Sequence, residues 1–240
     1  MLKFESFASG SAGNLYRVTA DGHAPLLIEA GVAYKALRRA LAFQVTSLAG
    51  CLVSHTHGDH SRSVPELLAA GVSVYASPEA GEALGVDRRH NFHPVLDGEQ
   101  FDVGGWTVLP FDLVHDVPCQ GFLIQSKGGE KLLYITDTAY CPWTFSGVSV
   151  AAIEANYSRG ILDRLVEQGT LDRHHAARVI RNHMSIEHAA QLLQGLAMPS
   201  LREVHLLHLS GGNSDEADFQ RQIERIVGVP VYVAGEGVRA

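Results

Sequence analysis

The pattern of hydrophobic and polar positions predicts an α/β protein, because its period changes repeatedly along the chain. Short apolar or alternating runs bounded by glycine, proline and small polar residues are typical of strands, whereas apolar residues every three or four positions are typical of helices. Strands come first and then alternate with helices twice, which favours a layered α/β domain. Strands are predicted at 2–7, 15–19, 26–29, 51–54, 72–76, 101–103, 106–113, 121–125, 131–136, 148–153, 203–207 and 229–233. Helices are predicted at 33–41, 61–70, 78–84, 159–168, 172–181, 185–196 and 214–227.

A polar segment after the predicted strand at 51–54 carries three imidazoles and a carboxylate within six residues. His55 and His57 are two positions apart, so they project to the same side of an extended chain. Gly58 follows them and permits a sharp turn, which would let Asp59 and His60 face a second ion. Imidazole and carboxylate suit Zn²⁺, Mn²⁺ and Fe²⁺. The segment therefore predicts a metal site, and the alternative is a solvated histidine-rich turn.

Three further candidate ligands stand where predicted strands end. His115 follows the strand at 106–113, and Asp137 follows the strand at 131–136. An acid in the position of Asp137 is usually a helix cap or a ligand, and we favour a ligand because no strong amphipathic helix follows. His205 and His208 point to opposite faces of one strand, so we expect only His208, at the strand's end, to reach a metal. His90 and His93 lie in a polar connection and are interpreted as surface histidines.

Two other segments leave alternatives open. His183 comes just before the helix predicted at 185–196, whose N-cap is Ser185, and a helix N-terminus is a natural anion-binding position. We interpret His183 as a residue that contacts or protonates substrate, and the alternative is a helix-capping histidine. The small-residue segment at 8–14 is interpreted as a tight hairpin, with backbone N–H groups that approach an anion as the alternative.

Composition and charge restrict the class of protein. The chain has 240 residues, of which 46% are hydrophobic, and its formal net charge is −7. We expect one domain over residues 1–240, soluble and cytoplasmic, because no leader-like apolar run and no membrane-length apolar segment is present. The cysteines at 51, 119 and 141 are odd in number and share no metal-like spacing, so they are interpreted as reduced thiols. An acidic balance argues against an extended nucleic-acid footprint.

The ordered set of candidate ligands resembles that of the metallo-β-lactamase superfamily. Positions 55–60 match its His-x-His-x-Asp-His motif, and the three later candidates fall where its later ligands fall. The resemblance implies a four-layer αββα sandwich with two divalent metal ions, Zn²⁺ first and Mn²⁺ or Fe²⁺ as alternatives, at one edge. It implies that one metal is held by His55, His57 and His115, a second by Asp59, His60 and His208, and both by a bridging Asp137. Asp59 and His183 are the expected catalytic residues.

Within the superfamily the chain resembles the phosphodiesterases most. The segments 182–185 and 207–210 resemble paired motifs of tRNase Z-type nucleases, although no gap between motifs accommodates their substrate-gripping arm. The segments 9–14, 154–157 and 208–213 resemble the YycJ/WalJ group, whose phage-borne relatives, the anti-Pycsar enzymes, open cyclic nucleotides. The resemblance implies hydrolysis of a nucleotide phosphodiester, first that of a small cyclic nucleotide. An exonuclease acting on DNA or RNA ends is the alternative, and a thioester or amide hydrolase is a more distant one.

The expected partners follow from the same resemblance. They are a small phosphorylated substrate and, less favoured by the net charge, nucleic acid; no membrane partner is expected, and a homodimer is left open. Asp116 and Glu154 are candidates to accept hydrogen bonds from the ring nitrogens of ligand histidines that do not bind metal. The sequence does not say which histidine each of them contacts.

Overall fold

Two mixed β-sheets lie face to face in the computed structural model, which describes residues 1–196 and 198–235. The first sheet contains, in spatial order, β1 (Lys3–Ala8), β2 (Leu15–Thr19), β3 (Leu26–Ile28), β4 (Gly50–Leu52), β5 (Val74–Ala76) and β6 (Phe92–Pro94). The second contains β13 (Val231–Val233), β12 (Glu203–Leu207), β11 (Val148–Glu154), β10 (Lys131–Ile135), β9 (Cys119–Gln125), β8 (Trp106–Leu113) and β7 (Phe101–Val103).

Helices cover the outer faces of both sheets. Their bounds are α1 (Tyr34–Ala40), α2 (Gly58–Ser61), α3 (Val64–Ala69), α4 (Pro78–Ala83), α5 (Arg159–Glu167), α6 (Arg173–Asn182), α7 (Ile186–Gly195) and α8 (Glu216–Val227). Short 3₁₀ turns lie at Val45–Ser47 and Met198–Ser200. No described helix combines the length and the apolar character that a membrane crossing requires.

Three apolar clusters show how the layers are held together. Between the sheets, side chains of both inner faces pack into one core that includes Trp106, Phe122 and Tyr134. A second core lies between the first sheet and α1, α3 and α4, and a third lies between the second sheet and α7 and α8. The layer order is helix, sheet, sheet, helix, which confirms the predicted αββα sandwich.

Strand direction explains why polar residues collect at one edge of the second sheet. β10, β11, β12 and β13 are mutually parallel, whereas β7 to β10 form antiparallel pairs. The carboxyl ends of β10, β11 and β12 therefore meet at the same edge. In the first sheet β3 to β6 are parallel as well, and β4 leads directly to the histidine-rich segment.

Two parts of the fold differ from the sequence prediction. The segment interpreted as a polar connection contains β6, where His93 stacks on Tyr75 of the neighbouring strand. The helix predicted at 61–70 is two helices, because α2 ends at Ser61 and α3 begins at Val64, with Ser63 between them bonded to the carbonyl of Val32. Asp59 and His60 consequently lie on a helical turn rather than in a loop.

Gly31 is the glycine on which the histidine-rich segment depends most. A β-carbon at Gly31 would overlap the backbone carbonyl of Asp59, whereas one at Gly58 would meet open space. We expect Gly31→Ala to destabilise the protein by about 2 kcal/mol or more, since overpacking forces the backbone to move. For a chain of this size that corresponds to a fall of roughly 4–8 °C in Tm. Gly58→Ala is the matched control, and an equal Tm for both variants in a thermal melt contradicts this account.

Candidate metal centre

The histidine-rich segment folds so that its four candidate ligands converge. His55 and His57 follow β4 and place their ring centres 4.7 Å apart. The single turn of α2 then presents Asp59 and His60, and the ring of His60 lies 4.2 Å from that of His55. His55 and His60 are completely buried. The buried pair forms the floor of the centre.

The parallel strands of the second sheet deliver Asp137 and His208 to the same place. Asp137 is buried just past β10, and its Oδ2 lies 3.1 Å from Nε2 of His60 and 3.5 Å from Nε2 of His55. His208 follows β12, and its Nδ1 lies 3.1 Å from Oδ1 of Asp137. Both residues have a positive φ, 41° and 54°, which is uncommon outside glycine and is frequent at functional sites.

His115 completes the set from a bend that follows β8. Its Nε2 lies 3.2 Å from Nδ1 of His57, and its ring packs edge-on against the ring of His55 at 4.9 Å. The seven side chains form two groups that share one carboxylate, each with ligand atoms within 4.8 Å of one another. The groups are His55, His57, His115 and Asp137, and Asp59, His60, Asp137 and His208. This is the division that the resemblance implies, and metal binding by these residues stays a prediction.

The polar atoms of the centre fit divalent cations better than they fit one another. Nε2 of His55 and Nε2 of His208 are buried without a hydrogen-bond partner among the described residues, although buried polar atoms are normally paired. In the described part of the chain, no lysine or arginine lies within 4 Å of the carboxylates of Asp59, Asp137 or Glu154. Buried carboxylates need a positive counterpart, and a nitrogen and oxygen donor set suits Zn²⁺, Mn²⁺ or Fe²⁺.

The electrostatics of the two groups differ. Burial lowers the pKa of His55 and of His115, which favours the neutral imidazole that binds metal. Burial also opposes charge on His60 and His208, but the carboxylate of Asp137 outweighs it, so the pKa of His60 is raised well above its usual value and that of His208 to about 10. A cation bound by the second group would therefore displace the protons that the carboxylate of Asp137 stabilises on His60 and His208.

Hydrogen bonds to Nδ1 fix the orientation of two of the histidine rings. Ser54 Oγ lies 2.9 Å from Nδ1 of His55, which turns Nε2 toward Asp137. His115 donates from Nδ1 to the carbonyl of Asn182 at 3.0 Å, and the amide of Asn182 donates to Asp116 at 2.9 Å. Such contacts hold ligand rings in place and tune their basicity.

Glu29 is a site residue that the sequence interpretation missed. It is completely buried one residue past β3, with a φ of 65°. Its carboxylate accepts hydrogen bonds from Tyr134 at 3.0 Å and from the N–H of Ser54 at 3.3 Å, and it lies 3.4 Å from Nδ1 of His60. The sequence signal that identified Asp137, an acid directly after an apolar strand, is also present at Glu29.

The segment between β1 and β2 is a hairpin, as predicted, and it also contacts the centre. The amide of Asn14 lies 2.9 Å from Nε2 of His60 and donates to the carbonyl of Asp59 at 3.1 Å. Ser9 accepts a hydrogen bond from the N–H of His208 at 2.9 Å. The hairpin therefore ties the first strand to the ligands of the second group.

His183 lies beside the second group, between α6 and α7. Its Nδ1 is 2.7 Å from Oε1 of Glu154, whose other oxygen accepts hydrogen bonds from the N–H groups of Thr138 and Met184. Burial opposes charge on His183, but Glu154 overcomes it and raises the pKa of the imidazole. Ser185, and not His183, caps the N-terminus of α7 by accepting from the N–H of His188, whereas His183 is the C-cap residue of α6 and its N–H donates to the carbonyl of Val179.

His205 and His93 lie away from the groups of candidate ligands, and His93 does so within β6 rather than in a polar connection. His205 packs between Phe4 and Tyr232, with ring centres 4.8 Å and 5.2 Å away. His93 contacts Ser73 in the first sheet. Neither belongs to a group of candidate ligands in the described residues.

Comparison with known families agrees with this geometry. The family described as "Beta-lactamase superfamily domain" matches residues 26–208, a range that contains every candidate ligand from His55 to His208. The chain belongs to the beta-lactamase superfamily. It is a hydrolase of the metallo-β-lactamase fold, whose two sheets and covering helices it shares.

Individual members of the superfamily are similar over nearly the whole chain. The exodeoxyribonuclease YycJ of Bacillus anthracis is 25% identical, covering 98% of this chain and 92% of its own. The metallo-beta-lactamase fold protein YhfI of Bacillus subtilis superposes with a TM-score of 0.74 at 17% identity, covering 99% of this chain and 98% of its own. The short form of human tRNase Z superposes with a TM-score of 0.63 at 16% identity, covering 98% and 97%. The structural likenesses at these identities show the fold.

Proposed function

We propose that this protein is a dinuclear-metal phosphodiesterase that hydrolyses nucleotide phosphodiester bonds. The observation that carries the proposal is the pair His183–Glu154, which places an imidazole held by a buried carboxylate beside the two groups of candidate ligands. Oε1 of Glu154 lies 2.7 Å from Nδ1 of His183 and 3.2 Å from Nδ1 of His208. Hydrolysis of a phosphodiester releases an alkoxide, and an adjacent acid accelerates its departure.

The proposed ligand roles follow the two groups. His55, His57 and His115 would hold one cation, Asp59, His60 and His208 would hold the other, and Asp137, which belongs to both groups, would serve both. When bound, divalent cations of this kind lower the pKa of water and neutralise charge on a phosphate. Zn²⁺ is the first candidate, with Mn²⁺ and Fe²⁺ as alternatives.

Residues of the chain then orient the reactants. Asp59 is partly exposed, and its Oδ2 lies 3.5 Å from Nε2 of His60 and 3.4 Å from Nε2 of His208; the two imidazoles lower its pKa against the opposing effect of burial. Its carboxylate is thus ionised and can orient the attacking water by accepting a hydrogen bond. His183, 23% exposed at its side chain, faces the opening and can donate a proton to the leaving oxygen, while Glu154 holds the imidazole in position.

Alternative chemistries make less use of these residues. A thioester or amide hydrolase could use the same metals, but it has no need of His183. A 3′,5′-cyclic nucleotide and the end of a DNA or RNA strand both contain the proposed bond. The net charge of −7 supports the cyclic nucleotide, whereas the 25% identical exodeoxyribonuclease supports the strand end.

We also propose that the protein works in a reducing, cytoplasmic setting, since Cys51, Cys119 and Cys141 are unpaired.

A side-by-side assay of the metal-loaded protein tests the proposal. The substrates are bis-p-nitrophenyl phosphate, 3′,5′-cyclic nucleotides, end-labelled DNA and RNA, and a thioester and a β-lactam for comparison. We expect hydrolysis of phosphodiesters and no comparable rate on the thioester or the lactam. A protein that turns over the thioester or the lactam faster than every phosphodiester contradicts the proposal.

A further inference from the structure

A cleft of about 430 Å³ opens directly beside the metal centre. This volume is within the range of roughly 300–1,000 Å³ that small-molecule sites occupy. One wall is α6, and the opposite walls are the β1–β2 hairpin and the segment that follows His208. Five residues line both the cleft and the cavity of the metal centre, so the two are continuous: Ser11, Arg178, Asn182, His183 and His208.

The two cavities differ in their acidic residues. The cavity of the metal centre contains the carboxylates of Asp59, Asp116 and Asp137. Among the described residues, no aspartate or glutamate lines the adjoining cleft, whose polar groups come from serine, asparagine, histidine and one arginine. In a chain with a net charge of −7, an acid-free cleft with a guanidinium in its wall is suited to an anion.

Arg178 is the cation at the junction of the two cavities. Its Nη2 lies 3.4 Å from Nδ1 of His175, one turn earlier on α6. It makes no ion pair within 4 Å in the described part of the chain, although arginine is well suited to bidentate contact with phosphate. The guanidinium is exposed and held beside the reaction site without a carboxylate partner.

We propose that the cleft binds the nucleotide next to the scissile bond and that Arg178 pairs with the phosphate of that nucleotide. The proposal rests on the proposed function and narrows its substrate class to a linear strand with at least two phosphates. A 3′,5′-cyclic mononucleotide has one phosphate, which the metal centre would take, so Arg178 would be left unpaired. The second phosphate is either terminal or internal to the strand, and the chemistry of the contact is the same.

Dithymidine monophosphate and its 5′- and 3′-phosphorylated forms provide the test. They contain the same scissile bond and differ only in the second phosphate. For the wild-type protein we expect kcat/KM to rise about tenfold or more when one of the two terminal phosphates is added, as a charge-assisted contact implies. The position of the favourable phosphate shows on which side of the scissile bond the cleft lies, and longer oligonucleotides distinguish a terminal from an internal contact.

Arg178→Glu should remove most of that gain, measured as the ratio of kcat/KM with and without the second phosphate. Arg173→Glu is the matched control, because it makes the same change in charge on the same helix outside the lining of the cleft. It should leave the ratio as in the wild type.

The outcomes separate this proposal from the proposed function. A metal-loaded wild-type protein that cleaves no phosphodiester overturns both. A protein that cleaves dithymidine monophosphate but gains nothing from a phosphate at either end overturns the assignment of the cleft alone. The assignment of the cleft is also overturned if Arg178→Glu and Arg173→Glu change the ratio of kcat/KM with and without the second phosphate equally.

Discussion

Asp137→Ala is expected to abolish phosphodiesterase activity and to remove bound metal at the same time. Its carboxylate is buried and lies within 3.5 Å of nitrogen atoms of His55, His60 and His208, in both groups of candidate ligands. Metal stabilises a transition state by several kcal/mol, so we expect a loss on the order of 10³-fold or more in kcat/KM. Metal content, measured by mass spectrometry, should fall from two ions per chain to fewer than one.

Asp137→Asn separates charge from shape in this experiment. The amide has nearly the same size but no charge, so this variant should also lose metal. Asp87→Asn, at an exposed position outside every group of candidate ligands in the described residues, is the control and should keep both metal and rate. A purified Asp137→Ala protein that retains two ions and its rate shows that the carboxylate does not hold them.

His183→Ala is expected to slow hydrolysis without loss of metal. General acid catalysis is typically worth about 10²–10⁴ in rate, and we expect a fall of that size in kcat for nucleotide diesters, whose alkoxide leaving group needs a proton. For bis-p-nitrophenyl phosphate, whose leaving group is stable as an anion, the loss should be at most about tenfold. The measurement is kcat for both substrates together with metal content.

The comparison of leaving groups distinguishes proton donation from simple contact with phosphate. A residue that only binds the phosphate affects both substrates equally. His183 also belongs to a third group of possible ligand atoms with Asp137, Glu154 and His208, and loss of an ion from the variant would assign it to that role. His188→Ala, on the neighbouring helix, is the control and should change neither quantity.

The convergence of the seven candidate ligands could be predicted because it depends on strand ends. A polar residue directly after an apolar strand lies at the edge of a sheet whether or not the pairing is known. His115, Asp137 and His208 all carry this signal. The alternation of a strand allowed only one of His205 and His208 to reach a metal, and the position of His208 at the strand's end decided the choice. The structure places His205 between Phe4 and Tyr232.

Other features depend on tertiary contacts that local pattern does not contain. β6 has three residues and ends in a proline, and it is a strand because it pairs with β5 and stacks His93 on Tyr75. The contact between Glu154 and His183 joins residues 29 positions apart. The sequence identified Glu154 as a candidate partner of the ligand histidines. Its contact with His183 depends on how β11 and the helices α6 and α7 pack, which the sequence pattern does not contain.

The position of Arg178 shows the same limit on a helix. The sequence pattern predicted a helix at 172–181 without indicating which of its residues face the metal centre. Which of them do so depends on the packing of α6 against Leu162 and Tyr157, through Ala176 and Val179. That packing turns Arg178 toward the cleft, and no local signal distinguishes it from Arg173 or Arg181.

Titration of the chelator-stripped protein with Zn²⁺ or Mn²⁺, followed by the rate of phosphodiester hydrolysis, tests the central claim most directly. We expect no measurable rate without metal and a rise that saturates at two equivalents per chain. A rate that is present without metal, or that does not respond to either ion, would contradict it.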